Sequence, residues 1–224
     1  SRCIDDSPMS LPNFLPRAVI CDMDGLILDT ERLDGEIWRG VFAERGLDYP
    51  DTVHATVVGL HGAQTIHRLI EVYGPDIPIA AMHAEVLTRW AQRLERAPAP
   101  TRPGAVALLD WLAERGIPVA IATSTRRANV VLRLGPLLPR FAAVACGDEV
   151  DARKPAPDVY QLALDRLGTV ADGCLALEDS EPGVLAAQAA GLPVVSVPDI
   201  VDPPARPYRA ASLHDVLTAL QRCA

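Results

Sequence analysis

The sequence is short of several things that soluble proteins use freely. Of its 21 basic residues only Lys154 is a lysine. Aromatic residues make up 4% of the chain, so alanine, valine and leucine must do most of the packing. The five cysteines, Cys3, Cys21, Cys146, Cys174 and Cys223, form no CxxC pair, which removes the usual spacing of zinc and dithiol sites. Cys21, Cys146 and Cys174 sit in apolar, strand-like runs and read as buried thiols in a reducing compartment. No apolar run reaches the ~18 residues of a membrane-spanning helix, and no signal-peptide pattern opens the chain. Neither GxxxxGK[ST] nor GxGxxG occurs, so P-loop and dinucleotide-binding readings drop out. The formal net charge of -8 argues against nucleic acid or an anionic membrane as a partner. A small phosphorylated molecule stays allowed, because it needs only local positive charge. The expected location is the cytoplasm, as a monomer or weak homodimer.

What is present is a chain of 224 residues, 49% of them hydrophobic. That suits one large α/β domain or a core with a small companion. From about Ile117 onward, short apolar runs ("IPVAIA", "AAVAC", "CLALE", "PVVSV") alternate with helical patterns near Arg126–Leu134, Pro157–Leu167, Pro182–Ala190 and Leu213–Leu220. Strands apolar on both faces, alternating with helices, predict a doubly wound parallel sheet. The run Ala18–Cys21 is its first strand. Glu31 to Arg96 has a different texture, with helical spacing at Leu33, Ile37, Trp38, Val41 and Phe42, then near Ala63–Tyr73 and Ile79–Leu94. "RAPAPTRPGA" reads as a stiff hinge, with Pro103 opening the next helix. The expected organisation is an α/β core of residues 17–30 and 102–224, a helical insertion of residues 31–101, and a leader- or tag-like segment of residues 1–16.

Ligands of open parallel sheets bind beyond the carboxyl ends of the strands. The first strand here ends in Asp22-Met23-Asp24 and the second in Thr123-Ser124-Thr125. Lys154 follows the third, and the fourth ends in Glu178-Asp179-Ser180. Singly, each has a plain structural explanation: an Asp-Gly turn, a helix cap, a loop charge, acids at a helix start. A calcium loop is excluded, because its sixth position is Ile27 and its twelfth Leu33. Together the four clusters suit phosphoryl transfer. Carboxylates near one point can hold Mg²⁺, a lysine and hydroxyls can hold phosphate oxygens, and one aspartate can attack phosphorus while another moves the proton.

"DMDGLILDTE", "IATSTRR", "RKPAPDVY" and "LALEDSEPGVLAAQAAG" resemble, in order, the four motifs of the haloacid dehalogenase superfamily. The likeness spans Arg17 to Val197, and the helical insertion resembles the cap of its β-phosphoglucomutase-like branch. It implies that Asp22 is the nucleophile, Asp24 the general acid/base, and Thr123 a phosphate ligand with Ser124 and the Gly25 turn. It further implies that Lys154 steadies nucleophile and phosphate, and that Asp179 holds Mg²⁺ with Asp22 and the Asp24 carbonyl, Glu178 lying in or beside that shell. The implied activity is a Mg²⁺-dependent phosphatase of a sugar phosphate or similar metabolite. A β-phosphoglucomutase-like isomerase is the alternative. It is disfavoured because the cap histidine and arginine of that branch align with Asp34 and Gly62. A phosphoaccepting regulatory module fits less well, since receiver domains lack the insertion. A phosphonate-cleaving relative would need a cap lysine, and none lies between Glu31 and Arg102. Substrate contacts in the cap are expected from His61, Arg68 and Trp38.

Overall fold

The computed structural model describes residues 13–60, 62–203 and 208–224. Six parallel strands, β1 (Ala18–Cys21), β2 (Val119–Ala122), β3 (Ala143–Ala145), β4 (Cys174–Glu178), β5 (Val194–Ser196) and β6 (Tyr208–Arg209), form one sheet in the order β3-β2-β1-β4-β5-β6. β1 occupies the interior because the chain leaves it first toward one edge and later returns to the other side. Alternation along β1 sends Val19 and Cys21 to one face and Ala18 and Ile20 to the other. On the first face they meet α5 (Ala105–Glu114), α6 (Arg127–Leu134) and α9 (Leu213–Arg222) through Leu108, Val130 and Val216. On the second they meet α7 (Asp158–Leu167) and α8 (Glu181–Ala189) through Tyr160, Ala163 and Ala187. The second face is rich in alanine, so a core with few aromatic rings still packs closely.

The helical cap comprises α1 (Thr30–Ala43), α2 (Asp51–His54), α3 (Ala63–Tyr73) and α4 (Ile79–Arg96). Its own apolar centre gathers Leu33, Trp38, Phe42, Tyr49, Leu69, Met82 and Trp90. Trp38 stacks on Tyr49 with ring centroids 5.7 Å apart. The two connections to the core run side by side, Leu28 bridging Thr101 antiparallel. The Asp29 N–H donates to the Pro100 carbonyl, and the Arg102 N–H to that of Ile27.

Three elements depart from the sequence-based expectation. The helix after the hinge begins at Ala105 and not at Pro103, because Gly104 adopts a left-handed φ of 86° that no helix continues through. The four-residue helix α2 and the two-residue strand β6 carry too few residues for a periodic pattern.

Candidate active site at the strand ends

Parallel register aligns Cys21 with Ile121 and with Leu177, so the residues that follow emerge at one edge of the sheet. Asp22, at the end of β1, is 7% exposed. The Lys154 ammonium, on the loop after β3, donates to Asp22 Oδ1 at 2.5 Å and also to Glu178 Oε1. Glu178, the last residue of β4, is wholly buried. Its Oε1 also accepts from the Tyr160 hydroxyl at 2.8 Å. Its Oε2 accepts from the Asp179 N–H, the Ser180 N–H and the Ser180 hydroxyl. A Cβ at Gly183 would lie within 2.2 Å of three Glu178 carboxyl atoms. Only glycine therefore lets the first turn of α8 close over this carboxylate. Ser180 caps that helix by accepting from the Gly183 N–H.

The electrostatics follow from burial. Burial pushes the Asp22 carboxyl up to about 7, with Lys154 pulling it down and Glu178 and Asp24 pushing it further up. For Lys154, burial favours the neutral amine, but Asp22 and Glu178 outweigh it and hold the ammonium above its ordinary range. The Asp179 carboxyl is driven far above the usual carboxylate range by burial, then by Asp22, Glu178 and Glu31.

Around this centre lie the hydroxyls and turns. Thr123 is buried, and its hydroxyl accepts from the Thr125 N–H at 3.1 Å. The loops after β2 and β3 touch, for a Cβ at Gly147 would sit 2.2 Å from the Ser124 carbonyl oxygen. Gly25 turns with φ 78°, and its N–H donates to the Thr30 hydroxyl at 3.2 Å. Asp24 is held at both oxygens, by the Thr125 hydroxyl at 2.7 Å and by Arg133 Nη1 at 2.6 Å.

Asp24 opens onto a cleft of about 740 Å³ between core and cap. The core side presents Ser124, Thr125, Arg126 and Arg133, and the cap side Glu31, Asp34, Trp38, His83 and Trp90. Burial pushes the Glu31 carboxyl up to about 8, helped by Asp34, Asp24 and Asp199. Of the expected cap contacts, Trp38 lines this cleft, whereas Arg68 pairs with Glu71 at 2.9 Å and is not in its wall. His61 lies outside the described residues. The sequence reading missed Arg133, Tyr160 and Trp90. A helical count from Arg126 puts Arg126, Asn129 and Arg133 on one face, and all three line the cleft. That spacing was the available signal.

Among the described residues, no group of three or more His, Cys, Asp or Glu side chains is arranged to hold a metal ion. Glu178 has both oxygens engaged, and Asp24 is taken by Arg133 and Thr125. Asp22 and Asp179 remain, mutually repelling and buried. Asp179 is cradled by the bare Cα of Gly25, where a Cβ would lie 2.1 Å from its Oδ2. Two buried acids with one lysine, one of them seated against the bare Cα of Gly25, fit a hard cation such as Mg²⁺ completed by a main-chain carbonyl and water.

A family model described as haloacid dehalogenase-like hydrolase matches residues 16–191. The chain is 36% identical over 200 residues to Protein CbbY, plasmid, of Cupriavidus necator, covering 81% of this chain and 78% of that protein. It is 33% identical to the Phosphorylated carbohydrates phosphatase of Thermotoga maritima, over 78% and 82% of the two chains. The crystal structure of a CbbY mutant from Rhodobacter sphaeroides, in complex with xylulose-(1,5)bisphosphate, superposes with a TM-score of 0.70 at 26% identity. That match covers 92% of this chain and 99% of that one.

Proposed function

The chain belongs to the haloacid dehalogenase-like hydrolases, and from that premise we propose that it is a phosphatase of small phosphorylated metabolites, working by a Mg²⁺-dependent, covalent route on a sugar phosphate or similar ester. The catalytic core is residues 17–30 and 102–224, and the cap residues 31–101. An Asp22 carboxylate oxygen attacks phosphorus, and the bond from phosphorus to the departing alcohol breaks. Asp24 gives that alcohol its proton. Asp24 then takes a proton from water as the water attacks the aspartyl-phosphate, releasing inorganic phosphate and restoring Asp22. Lys154 and the Thr123 hydroxyl hold phosphate oxygens, with Ser124 and the Gly25 turn alongside. Glu178 anchors Lys154 instead of serving as a metal ligand. Asp22, Asp179 and the Asp24 carbonyl would hold Mg²⁺, which would supply positive charge to offset the repulsion between carboxylate and phosphate.

The observation that carries this reading is the buried lysine bridging Asp22 and Glu178, with Asp24 beside it at the cleft. A candidate nucleophile and its cation thus sit next to a candidate proton-moving acid, Asp24 being near enough to Asp22 to act on its charge. The mutase alternative needs a cap that grips a second phosphate. Asp34 and Gly62 both line the cleft and bring no positive charge. Of the cap arginines, Arg39, Arg45, Arg68 and Arg89 are each paired with an acid, and none of the cap's arginines lines the cleft. The test is a panel of phosphorylated metabolites assayed for phosphate release with and without Mg²⁺. It includes β-glucose 1-phosphate with a trace of its bisphosphate. Phosphate release that requires Mg²⁺ supports the phosphatase. Glucose 6-phosphate appearing much faster than phosphate overturns it in favour of the mutase.

A further inference from the structure

Arg133 belongs to α6 of the core, yet it touches three parts of the molecule at once. Its Nη1 donates to Asp24 Oδ1 at 2.6 Å. Its guanidinium lies over the Trp90 ring of the cap, 5.0 Å from the centroid, within the range of a favourable cation–π contact. The Trp90 indole N–H donates in turn to Asp34 Oδ1 at 2.7 Å. The Arg133 carbonyl accepts from the N–H of Ala99, in the second connection to the cap, at 3.3 Å. One residue thus joins the acid of the core, the wall of the cap and the hinge between them.

The surroundings make this contact consequential. Asp24, Glu31 and Asp34 line one cleft, and the guanidinium of Arg133 lies among them with 22% of its side chain exposed. Its Nε is buried and has no acceptor, although a buried donor normally finds one. With Thr125 on one oxygen and Arg133 on the other, the Asp24 carboxylate has a fixed orientation. Each oxygen keeps a lone pair free for a departing oxygen, and the two bonds decide where that lone pair points. The Thr125 hydroxyl sits on the same rigid strand end as Thr123. Arg133 is the partner that also touches the cap, through the Trp90 ring.

We propose that Arg133 is a positioning residue for Asp24, orienting this carboxylate toward the leaving group and tying its placement to the position of the cap through Trp90. The proposal rests on the reading of Asp24 as the proton donor. Arg133 acts through Asp24 and needs no contact with the phosphate. Its loss should therefore matter most where the leaving group depends most on receiving a proton.

The experiment compares kcat/KM on p-nitrophenyl phosphate, whose leaving group is acidic, with that on glycerol 1-phosphate, whose leaving group is a poor one. The proteins are wild type, R133M, R133K, D24N and the double variant D24N/R133M, each verified as folded by thermal unfolding. R133Q replaces R133M if the methionine variant does not fold. R133M should lose roughly 10- to 100-fold on the alkyl ester and only a few-fold on the aryl ester, through kcat more than KM. R133K should recover part of the alkyl loss. In the D24N background R133M should add less than about 3-fold, because the two residues act as one unit. Equal losses on both esters, an effect confined to KM, no loss, or full additivity with D24N would each overturn the proposal. If D24N itself fails to discriminate between the esters, Asp24 is not the proton donor. That outcome overturns both this proposal and the role of Asp24 from which it starts.

Discussion

The core and the cap treat charge in opposite ways. In the cap, Arg39, Arg45, Arg68 and Arg89 pair with acids at the surface, where water already solvates both partners. Its interior is aromatic, with Trp38, Phe42, Tyr49, Tyr73 and Trp90 in one cluster. The core packs with small aliphatic side chains, yet buries Asp22, Glu178 and Asp179 at the strand ends. Away from the cleft, where Glu31 and Asp34 face the core, a cap built only for stability would look like this cap. A core built only for stability would not bury three acids around a single lysine, since each uncompensated buried charge costs several kcal/mol. The cost falls where chemistry needs it, and the folding of the remainder must offset it.

The largest effect that would sharpen this contrast is on rate. Asp22→Asn keeps shape but removes the proposed nucleophile, and turnover with Mg²⁺ should fall by at least about 10³-fold. Residual activity above a few per cent would return Asp22 to an electrostatic role. Next comes stability. Lys154→Met leaves Asp22 and Glu178 without their shared cation, so urea unfolding should show a loss of about 3–5 kcal/mol. A neutral outcome would mean that the core carries its buried acids as easily as the cap carries its surface pairs. Gly183→Ala presses a methyl group onto the Glu178 carboxyl and should cost about 1–3 kcal/mol by the same measurement.

The contrast also predicts a pH dependence. Asp22, pushed up to about 7, Glu31, pushed up to about 8, and Asp179 all bind protons more tightly in the folded chain. The stability they contribute is present below about pH 4 and is lost as pH rises through their folded values. Glu149, held down to about 2 by Arg166 and Arg127 against the effect of its burial, has the opposite sign. Its stability is lost only as pH falls below about 4.5, outside this window. The metal-free protein should therefore lose Tm between pH 5 and pH 8, and added Mg²⁺ should raise Tm more at pH 8. Equal Mg²⁺ effects at both values would count against Asp22 and Asp179 as its ligands. The smallest change belongs to the cap surface, where Arg39→Ala breaks the ion pair with Asp51 and should alter stability by less than about 1 kcal/mol.

Much of this was legible in the residues alone. Runs such as "VAIA" and "CLALE", apolar on both faces, require a sheet covered on both sides, and their alternation with helices requires parallel strands. That places every strand's C-terminal end at one edge, so Asp22, Thr123 and Asp179 could be grouped before any coordinates. The cap helices followed from 3.6-residue spacing, to the residue for Ala63–Tyr73. What periodicity could not supply was side-chain direction across chain segments far apart. Arg133 and Asp24 are 109 residues apart, and in a chain where arginine is nearly the only cation, the helical spacing from Arg126 marked a shared face but not what that face would meet. Arg68 looked equally eligible for the cleft but faces Glu71.

The residue order alone thus determined the class of the fold, the edge of the sheet where chemistry gathers and the identity of its acids, because hydrophobic period and strand direction are local properties that leave few topologies open. Only the tertiary structure decided how those acids divide. Glu178 is saturated by Lys154, Tyr160 and the start of α8, Asp179 sits in the space Gly25 leaves, and Asp24 is held between Thr125 and Arg133. The physical reason is that a carboxylate's role depends on burial and on which donors reach it, and those donors come from strands, loops and helices that meet only when the chain has closed on itself.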